Sequence, residues 1–454
     1  MPGGNPRTRR AIPPAELLIT GVHVLDPRAG LDEPRDILIR AGHIAELGAP
    51  GSLTDADAAG TETIDGTGKH AFPGFVDPHV HLRTPGQEYK EDLVTGTAAA
   101  AAGGFVTVVA MPNTDPVVDD PSILRALVDR AQQDAGIPVG FLAAITRGLG
   151  GGELTEMAAL SDAGALGFTD DGKPVTSAGM LRKALQYQRL SGGVIALHEE
   201  DPALSGDGVM HEGAVSARLG LAGIPSLSES TMIARDAALA GYEDARVHIQ
   251  HVSAEESVQA LAAAKAAGAR VTAEATPHHL MLTDEAVRSL DSRFKMNPPL
   301  RTDQDRRALL TALRSGVIDC IATDHAPHAR HEKEVPFEQA PMGTTGLETA
   351  FAALHTDLVI PGELELEILI HRLSAGAAIF DLPVPRIAPD APANLCLVDL
   401  EGQFIPGANG YASRSENCCF HGRRLRGRVL LTLAAGALAY RAPLDAPART
   451  LSAR

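Results

Sequence analysis

"FVDPHVHLR", residues 75–83, decides the fold of this chain. It is a short apolar run of the kind that buried parallel strands form. In a strand, residues two apart point the same way. His79 and His81 therefore face one side together, close enough to grip one object. Imidazole is the commonest metal ligand, yet the pair alone leaves ligation and a chance sharing of a face equally open.

Seven similar runs follow: "FVTVVAMPN" (105–113), "PVGFLAAIT" (138–146), "ALGFTDDG" (165–172), "VIALHEED" (194–201), "RVHIQHVS" (246–253), "RVTAEATPHHL" (270–280) and "DCIATDHAPH" (319–328). Helix-like stretches such as "PSILRALVDRAQQDAG" and "AEESVQALAAAKAAG" lie between them, several ending in the glycine that stops a helix. Eight βα units over residues 71–385 predict an α/β fold, a (β/α)8 TIM-like barrel. An open doubly wound sheet is the alternative, but "GLGGGE" at 148–153 lacks the last glycine of the phosphate fingerprint. The two chain ends have another rhythm. "ELLITGVHVLDP" and "RDILIRAGHIAELG" alternate apolar and polar residues, as do "ANLCLVDL" and "RVLLTLAAGALAY". Residues 16–70 and 386–454 are thus expected to form one small β-sandwich domain, and the Arg- and Pro-rich residues 1–15 a disordered arm.

The formal net charge of −17 and the lack of a basic stripe exclude nucleic acid as a partner. An acidic substrate would need local cations to overcome that field. No apolar run is long enough to cross a bilayer, and the first residues lack the apolar core of a secretory signal. Four cysteines without CxxC spacing (Cys320, Cys396, Cys418, Cys419) make no disulfide framework. A cytoplasmic location is expected.

Barrel enzymes keep their active sites at the C-terminal ends of the strands. Those ends carry His79, His81 and Arg83, then Asn113, Asp170 and Asp171, His198, His251, His278 and His279, and finally Asp324, His325 and His328. Four imidazoles and two carboxylates suit two divalent transition ions, zinc above all. A free aspartate on such a rim can shuttle a proton. Alternation turns His248 to the opposite face, where it reads as packing, and points His325 away from Asp324. Spacing alone does not choose between Asp170 and Asp171. His278 and His279 are adjacent, so one at most faces the interior; "EED" after His198 reads equally as a solvated acidic turn.

"DPHVHLRTPGQEYKEDLVTGTAAAAAGGFVTVVAMPNTDP" resembles the first two strands of dihydroorotases of the long-chain bacterial type. "GFTDDGKPV", "ALHEED", "HIQHVS", "MNPPLR", "IDCIATDHAPH" and "GTTGLETA" resemble that family's later blocks in the same order, over residues 16–441. The resemblance implies a metal-dependent cyclic amidohydrolase that interconverts N-carbamoyl-L-aspartate and L-dihydroorotate in pyrimidine biosynthesis. It implies one or two zinc ions: His79 and His81 on the more buried one, His198 and His251 on the second, with Asp171 at the bridging place and Asp324 as a further ligand. Asp324 would also act as general base and acid, while metal-bound hydroxide attacks the ring carbonyl. His81, Arg83, Asn113, Asn297 and His328 would hold the substrate, with the backbone of Met342 and Gly343 against its ring. Arg83 supplies the fork that a substrate carboxylate needs.

Three positions depart from the family pattern. Thr84 replaces an acidic residue, Met342 replaces a phenylalanine, and "SENCCF" (415–420) replaces S-x-N-T-P-F, putting Cys418 and Cys419 in the β domain. None removes a ligand. The resemblance further implies a homodimer and an association with aspartate transcarbamoylase. The competing readings are a hydantoinase or allantoinase, which would not need Arg83, and a non-catalytic scaffold for the transcarbamoylase, which would have lost ligand histidines.

Overall fold

The structure is a computed structural model that describes residues 8–53 and 61–443. Eight parallel strands follow one another around a barrel: Phe75–Val80, Phe105–Ala110, Val139–Ala143, Gly167–Phe168, Val194–Leu197, Val247–Ile249, Val271–Ala275 and Cys320–Ile321. Each pairs with the next, and Val80 bridges His325 to bring the eighth strand back to the first. His81 N–H donates to His325 C=O at 2.9 Å across that seam. Every residue of the first three strands is buried, which is why they read as unbroken apolar runs.

The connecting helices start and stop where the sequence marks them. Asp120 caps the helix Pro121–Asp134 by accepting from Ser122 N–H at 2.8 Å, with Pro121 in the first turn. Thr302 and Asp305 form a capping box at the head of Asp303–Ser315, which ends on Gly316 at φ 85°. Their apolar faces and the outer barrel surface share one continuous core that includes Leu124, Leu127, Leu185, Leu261 and Leu313.

Strands from both chain ends make one further sheet. Leu17–Asp26, Leu31–Arg40, His43–Gly48, Glu62–Asp65 and His70–Pro73 come from the first part of the chain, and Leu395–Phe404, Leu425–Ala434 and Ala437–Arg441 from the last. The two halves join where His70–Pro73 pairs antiparallel with Leu395–Phe404. Ile19, Val24, Ile37, Ile39, Leu395 and Leu433 belong to one apolar cluster separate from the barrel core.

The expected disordered arm needs correction over part of its length. Residues 1–7 lie outside the described residues, but residues 8–15 are tied down. Thr8 exchanges two 3.0 Å backbone hydrogen bonds with Val139, and Arg10 N–H donates to Ala135 C=O at 3.0 Å. Pro13 and Pro14 fix an extended backbone, and Ala15 N–H reaches Gly436 C=O at 2.8 Å. Composition suggested disorder, but hydrogen bonds to strand-edge backbone outweigh it.

Candidate metal centre

The strand ends bring the six expected ligands together. His79 Nε2 lies 3.4 Å from Asp171 Oδ1 and 3.5 Å from Asp324 Oδ1. His81 Nε2 lies 3.1 Å from Asp324 Oδ1 and 3.5 Å from Asp171 Oδ2. On the other side of Asp171, His198 Nδ1 and His251 Nε2 approach its Oδ1 to 3.9 and 3.8 Å, and each other to 2.9 Å. Two compact donor groups result: His79, His81 and Asp171, and Asp171, His198 and His251. Asp171 is common to both. Asp170 turns the other way, accepting from Ile145 N–H at 2.8 Å, Thr146 N–H at 3.0 Å and the Thr146 hydroxyl.

The donors fit a divalent transition ion. The set is imidazole and carboxylate, as zinc and its neighbours prefer. His79 gives its Nδ1 to Glu274 Oε1 at 2.7 Å, and its Nε2 is buried with no hydrogen-bond partner in the protein. His81 likewise commits Nδ1 to Asn113 Oδ1 at 2.9 Å. A hydrogen bond at one ring nitrogen fixes the tautomer and aims the other lone pair. Burial alone would raise the carboxyls of Asp171 and Asp324. The facing imidazoles outweigh it and hold both below the ordinary carboxylate range.

Backbone strain gathers here. Arg83 (φ 56°), His251 (φ 34°) and Asp324 (φ 46°) all occupy the left-handed region. Such residues cost about 1–3 kcal/mol each and persist only where the surroundings over-determine them. All three lie two or three residues past the ends of barrel strands, where the chain must turn sharply and still aim a side chain inward.

The expected substrate groups line the same rim. Arg83 is buried, its Nε donating to Pro327 C=O at 3.1 Å, and no carboxylate comes within ion-pair distance of it among the described residues. Asn113 is not a free substrate amide: it bonds His81 and also donates Nδ2 to Asp171 Oδ2 at 3.0 Å. Asn297 donates to Glu200 Oε2 at 2.6 Å, and that same oxygen lies 3.4 Å from His198 Nε2. His328 Nε2 donates to Met342 C=O at 2.8 Å, and burial beside Arg83 and Lys333 pushes its imidazole down to about 2, so it is neutral. Gly343, at φ 137°, has no room for a side chain: a Cβ there would lie 2.8 Å from Ala326 Cβ and 3.0 Å from His328 Nε2.

Other positions differ from the sequence reading. His248 is more than packing: its Nε2 bonds Glu274 Oε2 at 3.0 Å and its Nδ1 bonds Thr272 Oγ1 at 2.9 Å. Glu200 is not a solvated turn residue, since His198 and Asn297 hold its carboxyl down at about 2 against the opposing effect of burial. His279 is bound to Thr276 and to Pro298 C=O, whereas His278 Nε2 is buried without a partner. His325, by contrast, faces away from Asp324 as alternation predicts, toward Glu91 Oε2 at 3.3 Å. Cys418 and Cys419 sit in a loop of the chain-end domain, but pack with Met296, Leu300 and Ala353 against the barrel.

Three supporting residues escaped the sequence reading. Glu274 had a signal, a lone acid inside the buried run "RVTAEA". Lys333, whose Nζ donates to Pro341 C=O at 2.8 Å and Gly343 C=O at 3.0 Å, had none. Asn417 accepts from His328 N–H at 3.0 Å and donates to Ala326 C=O at 3.0 Å and Gly343 C=O at 3.1 Å, a role visible only once the chain-end domain is placed.

A closed parallel barrel with imidazoles and carboxylates gathered at its C-terminal rim has the layout of a metal-dependent barrel hydrolase. Residues 68–257 match the family described as Dihydro-orotase-like. The chain is 44% identical over 422 residues to a dihydroorotase of Pelotomaculum thermopropionicum, covering 93% of this chain and 97% of that one. It is 44% identical over 427 residues to a dihydroorotase of Syntrophotalea carbinolica, with 94% and 99% covered. Among solved structures, an L-hydantoinase (dihydropyrimidinase) from Arthrobacter aurescens superposes with a TM-score of 0.82 at 25% identity, covering 93% of this chain and 96% of that one. A D-hydantoinase from a Thermus species, at 24% identity and a TM-score of 0.79, shares the fold. The chain belongs to the dihydroorotase family.

Proposed function

We propose that this chain is a zinc-dependent dihydroorotase, closing N-carbamoyl-L-aspartate to L-dihydroorotate and reopening it, in the cytoplasm and in de novo pyrimidine synthesis. The observation that carries the reading is the pairing of two donor groups that share Asp171 with a buried Arg83 that forms no ion pair among the described residues, on the same rim. The substrate carries a carboxylate, and a guanidinium fork is the side chain suited to bind it in two places.

His79, His81, Asp171, His198, His251 and Asp324 would hold the ions. Bound there, zinc supplies a Lewis acid that polarises the ring carbonyl and acidifies water. The protein's own groups do the rest. Arg83 anchors the carboxylate, and Asn297 and neutral His328 fix the ring. The backbone at Met342 and Gly343, free of any Cβ at 343, allows the ring to lie close. In hydrolysis Asp324 takes the proton from the water that adds to the carbonyl carbon. It returns that proton to the ring nitrogen as the C–N bond breaks. In cyclisation the same carboxyl removes the ureido proton and delivers it to the departing oxygen. A homodimer and an aspartate transcarbamoylase partner belong to the same reading, supported by the family alone.

Substrate choice tests it. Purified protein should turn over dihydroorotate far faster than hydantoin, and Arg83→Gln should erase most of that preference. Equal turnover of the neutral ring, unaffected by Arg83→Gln, would overturn the reading in favour of a hydantoinase.

A further inference from the structure

At the other end of the barrel, the N-terminal ends of the fifth to eighth strands close around a cavity of about 270 Å³. Arg246 and Arg270 stand just before the sixth and seventh strands, Arg372 comes from the helix Leu366–Ser374, and Arg28 from the turn after Leu17–Asp26. Val194, Val247, Ala375, Ala378 and Ile379 form an apolar wall beside them.

These cations are positioned and only partly neutralised. Arg28 donates to Ser374 Oγ at 2.5 Å and to His371 C=O at 3.1 Å. Arg372 donates Nη1 to Asp319 C=O at 3.1 Å, and its Nε is buried with no partner. Among the described residues, Arg28, Arg270 and Arg372 form no ion pair, and only Arg246 has one, with Asp381 at 2.7 Å. Two further acids offset part of this charge, Asp319, which lines the cavity beside Arg372, and Asp26 beside Arg28, but each is shared with other donors. Asp319 accepts from Lys265 Nζ at 2.7 Å and Ala273 N–H at 2.8 Å, and Asp26 accepts from the backbone of Arg28, Ala29 and Ile387. Burial and then the charges of Arg28 and Arg372 push the His371 imidazole down to about 4, as an excess of positive charge does.

Gathering like charges in a half-buried cavity costs free energy unless an anion offsets it, and this chain is otherwise strongly acidic. Guanidinium forks match phosphate oxygens in pairs. We propose that this cavity is an anion site for a phosphate group, carried free or on a small organic body that lies along the apolar wall. Its volume falls near the lower end of ligand pockets, roughly 300–1,000 Å³, which suits phosphate or a small ester. The site does not depend on the reaction at the opposite rim.

Calorimetric titration of inorganic phosphate into the full-length, metal-loaded protein tests this, with chloride holding ionic strength constant. The expected result is saturable binding that weakens at least about tenfold, or 1.4 kcal/mol, in both Arg28→Gln and Arg270→Gln and is unchanged in Arg83→Gln. Arg270 is exposed, so its variant decides alone should Arg28→Gln fail to fold. No saturable binding, or binding equal in the wild type and the Arg28→Gln and Arg270→Gln variants, would overturn the proposal. A parallel titration with a nucleoside monophosphate identifies the source. Tighter binding than phosphate assigns the apolar wall to an organic body, and weaker binding assigns the free ion.

Discussion

In the proposed reaction Asp324 would carry the proton with the least redundancy, because among the described residues the other carboxyls beside the histidines, Asp171 and Glu200, are also held by Asn113 and Asn297. Asp171 is held by Asn113 and shared between the two donor groups. Asp324→Asn keeps the shape and removes the base, so turnover in both directions should fall by about 10²–10⁴-fold while circular dichroism stays native. Glu274 is the corresponding residue one layer down. It accepts from both His79 and His248 and lies fully buried. Glu274→Gln should weaken metal binding by about 10–100-fold, read by competition with a chelator rather than by activity. At this scale the candidate ligands were legible because each is a polar residue at the end of an apolar run. Glu274 was harder, since a charge in mid-strand is informative only when its partner is known, and His79 lies 195 residues away in sequence.

At the scale of elements, all eight barrel strands fell within the apolar runs, and the helices Pro121–Asp134 and Glu255–Ala266 within the Gly-punctuated stretches between them, while the short helix Pro277–Met281 takes up the end of the seventh run. Periodicity carries that information because a buried parallel strand has no polar face. The strand lengths were less legible: "DCIATDHAPH" contains only the two-residue strand Cys320–Ile321, since the chain then turns inward at Asp324. The anchor of the 341–343 loop was invisible, because it is a lysine 8–10 residues away with no local signature. Burial lowers the Lys333 amine to about 7, against roughly 10.4 in an unfolded chain. Between those values the unfolded chain binds the extra proton, so this lysine makes stability rise with pH from about 7 to about 10 and contributes no slope below 7. Urea melts across that window should show a shallower rise for Lys333→Met than for the wild type. The same variant should raise KM for dihydroorotate more than it lowers kcat, because Lys333 positions the loop and is not among the proton-transfer groups.

The whole molecule joins its two parts at the active rim as well as at the sheet. The loop before Leu425–Ala434 brings Asn417 from the chain-end domain onto Ala326, His328 and Gly343. The domain formed by the termini is therefore part of the site. Asn417→Ala should cost about 1–3 kcal/mol of stability, seen as a lower midpoint in denaturant melts, together with a raised KM. Rhythm revealed that the two ends fold together, but not that their loop reaches the rim, since pairing between distant segments leaves no local pattern. Residues 8–15 show the converse: a composition typical of disorder, pinned by backbone bonds to Val139 of the third strand, to Ala135 and to Gly436.

A metal-dependent dihydroorotase is tested most directly by turnover of dihydroorotate and carbamoyl-aspartate on a sample whose metal content per chain is known. Turnover in both directions is expected with one or two zinc ions per chain, lost on chelation and restored by zinc. A folded, fully metal-loaded protein that turned over neither compound would contradict it.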